Sequence, residues 1–211
     1  MSLPIQTKQE LLSGVQAAAI SKKYFTGVNP TLGTAIATTT SITAFTAASP
    51  VALFFNNGPR AIVMDYLSMM IVQVPTSATH WRYSWTYDPV DRYTSGGTLV
   101  VPTSINGNIP ASTNMRMRFG AIVATAASGG VRNLCTGAVR GIIPTTLDTN
   151  TFVFGDTGFS NSALLTSGSA KYCDGIPGCL IAPGHSLLLH MWGTSNAAAP
   201  SWEFTAGWYE L

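Results

Sequence analysis

Residues 79–87 read Thr-His-Trp-Arg-Tyr-Ser-Trp-Thr-Tyr. Trp81, Tyr83, Trp85 and Tyr87 take every second place, and His80, Arg82, Ser84 and Thr86 take the places between. Side chains alternate across a strand, so this segment belongs to a sheet with one packed face and one polar face. The same period returns in Met115, Met117, Phe119, Ala121 and Val123, which are expected to point inward with Arg116 and Arg118 outside. It returns again in Trp202, Phe204, Ala206 and Trp208, opposed by Glu203, Thr205 and Tyr209.

Turn residues separate these segments. Asn56-Asn57-Gly58-Pro59, Gly129-Gly130 and Ala182-Pro183-Gly184 are the clearest. Further strands are expected over 33–40, 41–47, 51–55, 99–102, 131–143, 152–154, 179–181 and 185–192. Residues 61–74 are apolar on both faces, which predicts a central strand covered on two sides, with a bulge near Ser68. Residues 88–98, 104–112 and 155–178 read as loops, and the last two strands as a closing hairpin. About eight to ten short strands joined by Gly/Pro/Asn turns predict an all-β chain: a jelly-roll-like two-sheet β-sandwich over 33–211.

Residues 1–32 read differently. Thr7 and Glu10 form a capping box, and Leu11, Leu12, Val15, Ala18 and Ala19 follow near helical spacing, which predicts a helix over about 7–20. Gly14 weakens it, and a helix this short needs a surface to lie on. Residues 22–32, with Gly27, Asn29 and Pro30, read as an extended tether.

Only 9% of the 211 residues are charged, against roughly 25% in ordinary soluble domains. Such a surface repels neighbours weakly and costs little to desolvate, which suits a chain packed against other chains. The net charge of +2 does not argue for nucleic acid: Lys8, Lys22 and Lys23 are diluted by Glu10. The most apolar run, 61–74, contains Asp65 and is too short to cross a bilayer. No basic segment followed by an apolar stretch marks a signal peptide. Cys135, Cys173 and Cys179 are odd in number and irregularly spaced, and are expected as reduced thiols.

Catalytic signatures are sparse. His185 and His190 sit at an offset that places them on opposite faces of a strand, so one ion does not easily take both; His80 lies on another strand. Asp88 and Asp91 flank Pro89-Val90 in a spacing that matches no calcium loop, and turn capping accounts for Asp88. No nucleophile elbow, Cys–His pair or paired carboxylates stand out. The five tryptophans are candidates for a sugar-stacking platform, but alternation among apolar neighbours assigns them to the core. No catalytic, metal-binding or cofactor-binding residue is therefore assigned, and the chain is not expected to be an enzyme.

One resemblance adds to this reading. The segment Pro50-Val51-Ala52-Leu53-Phe54-Phe55-Asn56-Asn57, the run 62–74, and Arg92-Tyr93-Thr94-Ser95-Gly96-Gly97-Thr98 with Pro102 and Asn106 resemble small virion proteins of tailed bacteriophages. So do the closing Ala182-Pro183-Gly184-His185-Ser186-Leu187, Trp192 and the strand 202–208. The likeness runs from about Gly33 onward and resembles jelly-roll capsid decoration (cement) proteins more than any enzyme. It implies a homotrimer on the outside of an icosahedral head, bound to the major capsid protein of the same virion, with no cofactor and no catalytic residue. The arm would then grip the lattice or a neighbour through Lys8, Leu11, Leu12, Val15, Lys22, Lys23, Tyr24 and Phe25. A single-jelly-roll shell protein and a receptor- or carbohydrate-binding spike or tail protein are the alternatives.

Overall fold

The computed structural model describes residues 24–38, 43–73, 81–105, 112, 114–140, 147–155, 164–166, 169–193 and 200–211. The helix expected over 7–20 lies outside the described residues.

The strands are β1 (Tyr24–Val28), β2 (Ile36–Ala37), β3 (Ala52–Asn56), β4 (Ile62–Gln73), β5 (Trp81–Asp88), β6 (Tyr93–Val100), β7 (Thr103–Ser104) and β8 (Met115–Ala124). They continue as β9 (Arg132–Arg140), β10 (Thr149–Phe154), β11 (Leu164–Thr166), β12 (Ser169–Ile176), β13 (Leu180–Ile181), β14 (Ser186–Gly193) and β15 (Ser201–Glu210). Eight of them form the frame. In one sheet the order is β1-β15-β4-β10, and in the other β3-β14-β5-β9. Every neighbouring pair in these two quartets is antiparallel. Along these eight strands the chain changes sheet from β1 to β3, β3 to β4, β4 to β5, β9 to β10, β10 to β14 and β14 to β15. That interleaving is the jelly roll, in which two Greek keys wrap into a sandwich. Two insertions widen it. Strands β6 and β8 extend the second sheet beyond β3, and β12 and β11 extend the first beyond β10.

Trp81, Tyr83 and Trp85 face the interior, as their alternation predicts. Trp85 packs edge-on against Phe152 and Phe154 of the opposite sheet, with centroids 5.4 and 5.0 Å away. Phe119 and Phe204 stack across the sandwich at 4.1 Å. Aromatic pairs of this kind add about 0.5–1.5 kcal/mol each beyond the area they bury. Trp202, Phe204, Ala206 and Trp208 also fall on the core face, as expected.

Several boundaries differ from the sequence reading, each for a local reason. Residues 24–28 are no tether: β1 pairs along its whole length with β15, and Tyr24 and Phe25 are buried in the body. Of the strands expected over 33–47, the described residues contain only β2. Residues 43–50 are irregular and pack on the outside of the second sheet, where Phe45 meets His190 and Trp192.

The bulge in β4 sits at Asp65, not Ser68, because the register with β15 shifts between Gly207 and Trp208. The extra residue lets Met64 and Leu67 both face the core while Asp65 and Tyr66 stay half-buried outside. The outer face of β4 is accordingly half-buried rather than covered.

In β8 the burial pattern inverts at Gly120, whose φ is +101°. Ala121 and Val123 are exposed, while Ile122 and Ala124, on the face that Arg116 and Arg118 share with Leu53 and Phe55, join Leu53, Phe55 and Leu188 in a second apolar cluster. Residues 93–98 are strand, not loop: Gly96 and Gly97 have positive φ beside a register shift against β8, so they bend the strand without ending it. Residues 155–178 hold β11 and β12, and β12 runs parallel to β10. The last two strands are not a hairpin, since β14 and β15 lie in opposite sheets.

Candidate functional site

Of the arm residues singled out by sequence, Lys8, Leu11, Leu12, Val15, Lys22 and Lys23 lie outside the described residues. Tyr24 and Phe25 have a different role from the one expected. The Tyr24 hydroxyl donates to Asp65 Oδ2 at 2.7 Å, its ring meets Tyr209 edge-on at 4.8 Å, and Phe25 stacks on Trp208. They fasten β1 to the sheet.

The histidines separate as their spacing predicts. His190 is buried on the outer side of the second sheet, with Nε2 3.1 Å from Thr86 Oγ1 and Nδ1 without a partner. It lines a cavity of about 160 Å³ with Phe45, Thr86, Arg92, Val131 and Asn133. Burial, and then the Arg92 charge, push its pKa down to about 4, against a weaker opposing pull from the Thr46 backbone. His185 sits at the rim, its Nδ1 hydrogen-bonded to the Tyr87 hydroxyl. His80 lies outside the described residues. Among the described residues no group of three His, Cys, Asp or Glu side chains is placed to hold a metal.

The loop carboxylates serve arginines. Asp88 is buried and accepts from Arg92 at 3.1 Å, from the Ser128 amide at 3.0 Å and from the Ser128 hydroxyl. Arg92 is 1% exposed. It also donates to the carbonyls of Thr125 (2.9 Å, from Nε) and Ala47 (2.8 Å). One guanidinium thereby ties three chain segments over the outer side of the second sheet. Asp91 pairs with Arg116 at 2.5 Å. Arg116 lies over the Phe55 and Tyr93 rings at 4.6 and 5.0 Å, and Arg118 over Tyr93 at 4.3 Å. The sequence reading saw only a turn in Asp-Pro-Val-Asp-Arg; the four-residue spacing of Asp88 and Arg92 was the available signal.

Cys135, Cys173 and Cys179 form no disulfide. Burial pushes the Cys135 and Cys179 thiols up to about 11 and about 12, away from thiolate chemistry. Trp81, Trp85, Trp202 and Trp208 are buried, so four of the five indoles are core and only the half-buried Trp192 is left for a surface platform.

Charge is divided between the sheets. Arg82, Arg116, Arg118, Arg132 and Arg140 all lie on strands of the second sheet, whose one strand carboxylate is the buried Asp88. Asp65, Asp174, Glu203 and Glu210 lie on strands of the first, whose one strand cation is Lys171.

No known family model, curated protein or solved structure matches this chain.

Proposed function

We propose that this chain is a structural protein of a virus particle: a decoration, or cement, protein on the outside of an icosahedral head. The observation that carries the reading is the jelly-roll strand order, an architecture that serves viral capsids, in a chain with 9% charged residues. Residues 1–23 are the gripping arm, with Lys8, Leu11, Leu12, Val15, Lys22 and Lys23 as its contacts to the major capsid protein. Tyr24 and Phe25 anchor its root. The body is a homotrimer.

The mechanism is mechanical. Packaged genome pushes a shell outward. A protein that binds only the assembled shell stabilises it by mass action, and three linked arms raise the effective concentration of each. An arm that orders on its target adds area to every joint.

The test uses purified heads lacking this protein. Full-length protein should bind in hundreds of copies and raise the temperature at which heads lose their genome, while protein lacking residues 1–23 should fold and not bind. Equal occupancy by the truncated protein would overturn the arm's role, and absence of binding by either would overturn the virion reading. The strand order equally favours a second reading, a shell subunit of its own; closed empty shells formed by the purified protein alone, seen by electron microscopy, would establish that one instead.

A further inference from the structure

The register puts Trp192 of β14 opposite Arg82 of β5, and Arg82 opposite Ala138 of β9. Their neighbours Met191 and Tyr83 belong to the core, so alternation turns Trp192, Arg82 and Ala138 to the outer side of the second sheet. Residues directly opposed on one face stand about 5 Å apart. Trp192 and Arg82 are tall, Ala138 is a single methyl, and Gly137 beside it has no side chain. The difference in height leaves a groove of about 340 Å³, walled by the indole and the arginine, floored by 137–138 and flanked by Thr136.

Both walls are uncommitted. Arg82 is exposed and belongs to neither ion pair found among the described residues, Arg92–Asp88 and Arg116–Asp91. No carboxylate lines the groove. A guanidinium so placed matches a planar oxyanion, which it holds through paired N–H donors. Trp192 is half-buried. Phe45 braces its ring in a T-shaped contact at 5.6 Å. The cation–ring contacts among the described residues use Phe55 and Tyr93 and leave the indole alone. A braced aromatic ring at the surface suits a ligand that is apolar on one side and polar on the other. The exposed Thr136 adds a hydroxyl that both donates and accepts.

We infer that this groove binds an acidic sugar, a pyranose ring that carries a carboxylate. The C–H face of the ring lies on the Trp192 indole, the carboxylate reaches Arg82, and a ring hydroxyl meets Thr136. The volume stands at the low end for small-ligand sites, which suits a single sugar unit. One guanidinium balances one carboxylate. A nucleotide is a poorer match: its phosphates bring more charge than one arginine answers, and no second indole or phenylalanine lines the groove to clamp a base. The other tryptophans described stay in the core, and the site requires only Trp192. The inference goes beyond the decoration reading and does not depend on it.

Saturation-transfer NMR on the full chain tests it. The probes are methyl glucuronide and a glucuronate-containing oligosaccharide, each at millimolar concentration, with methyl glucoside as the neutral control. Both acidic probes should receive magnetisation from the protein, and the glucoside should bind at least about 10-fold more weakly than the glucuronide. Tighter binding of the oligosaccharide assigns the site to a polymer; equal binding assigns it to the free sugar. Arg82→Gln, at an exposed position, should erase the preference for glucuronide over glucoside. Ala138→Leu, which fills the floor, should block both. Circular dichroism should be unchanged in each variant. Absence of transfer to both acidic probes overturns the inference, and so does glucuronide binding that survives both substitutions. Chemical-shift changes on titration should centre on residues 82, 136–138 and 192; changes confined to other residues overturn it independently of any variant.

Discussion

Asp88 and Arg92 meet 3.1 Å apart as an ion pair that solvent barely reaches, with side chains 0% and 1% exposed. The pair closes the corner between β5 and β6, and the arginine's remaining donors reach Ala47 and Thr125. Truncating one member leaves the other charged, dry and alone. Asp88→Ala should therefore cost about 3–5 kcal/mol, whereas replacing both members with apolar side chains of similar volume should recover most of it. For a chain of this size the single variant should lose on the order of 10 °C in Tm. Urea unfolding monitored by tryptophan fluorescence measures both variants; a single-variant loss under about 1 kcal/mol would contradict the pairing.

His190 makes stability depend on acid. Its folded pKa is depressed to about 4, while the unfolded chain holds a histidine near its ordinary ~6.5. Below that value the unfolded state takes up a proton that the folded state refuses, so the contribution is whole above pH ~6.5 and is lost as pH falls toward 4. The full effect is on the order of 3 kcal/mol. Asp174 works against it, since burial raises its folded pKa. Unfolding free energies from pH 7 to 4 should fall in the wild type and fall less in His190→Gln. Parallel curves for the two would remove His190 as the cause.

Part of the frame was legible in the sequence because strands such as β5 and β15 obey a two-residue period, whereas β1 reads as tether and β4 is apolar on both faces. The segments 79–87 and 202–208 left no choice of face, and the turn at 182–184 placed β14. What stayed hidden was set by backbone rather than by side-chain pattern. Past Gly120 burial moves to the other face of β8, which leaves Ala121 and Val123 exposed, and a bulge at Asp65 shifts the facing within β4; neither has an unambiguous signature in one sequence. Gly96-Gly97 looked like a turn because the dipeptide that ends a strand also bends one. The Asp88–Arg92 network was missed because its other partners, Ala47, Thr125 and Ser128, are distant in sequence.

Glycine positions give a graded test of the bend in β8. At Gly120 an added Cβ would lie 2.5 Å from Ile36 Cγ2 and 2.7 Å from the Ala37 carbonyl oxygen, at a φ of +101°. The carbonyl belongs to β2 and cannot swing aside as a side chain does. Gly184 has a φ of +77° but nothing within 4 Å of the added atom. Gly184→Ala should cost about 1–2 kcal/mol from backbone strain alone. Gly120→Ala should cost clearly more, and should weaken the packing of β2 on β8. Denaturation midpoints rank the two; an equal loss would mean that β2 yields without resistance.

Tyr24 and Asp65 hold β1 against β4, and their bond has a pH signature of its own. Burial first, and then the hydrogen bond to Asp65, raise the Tyr24 phenol above its ordinary range. The folded state therefore keeps a proton that the unfolded chain releases near pH ~10, and the stability this provides is present below that pH and lost as pH rises further. Tyr24→Phe removes the donor and the titration together. It should cost about 1 kcal/mol at neutral pH and flatten the fall in stability above pH ~10 relative to wild type. Asp65→Asn keeps an acceptor but removes the charge, so it should retain part of the neutral-pH stability and let the phenol titrate earlier. In hydrogen exchange, amides 24–28 should open more readily in Tyr24→Phe while β14 stays protected, because β1 lies near the rim of its sheet and β14 lies in the centre of the other. Exchange in β1 as slow as in wild type would show that pairing with β15 holds β1 without the tyrosine.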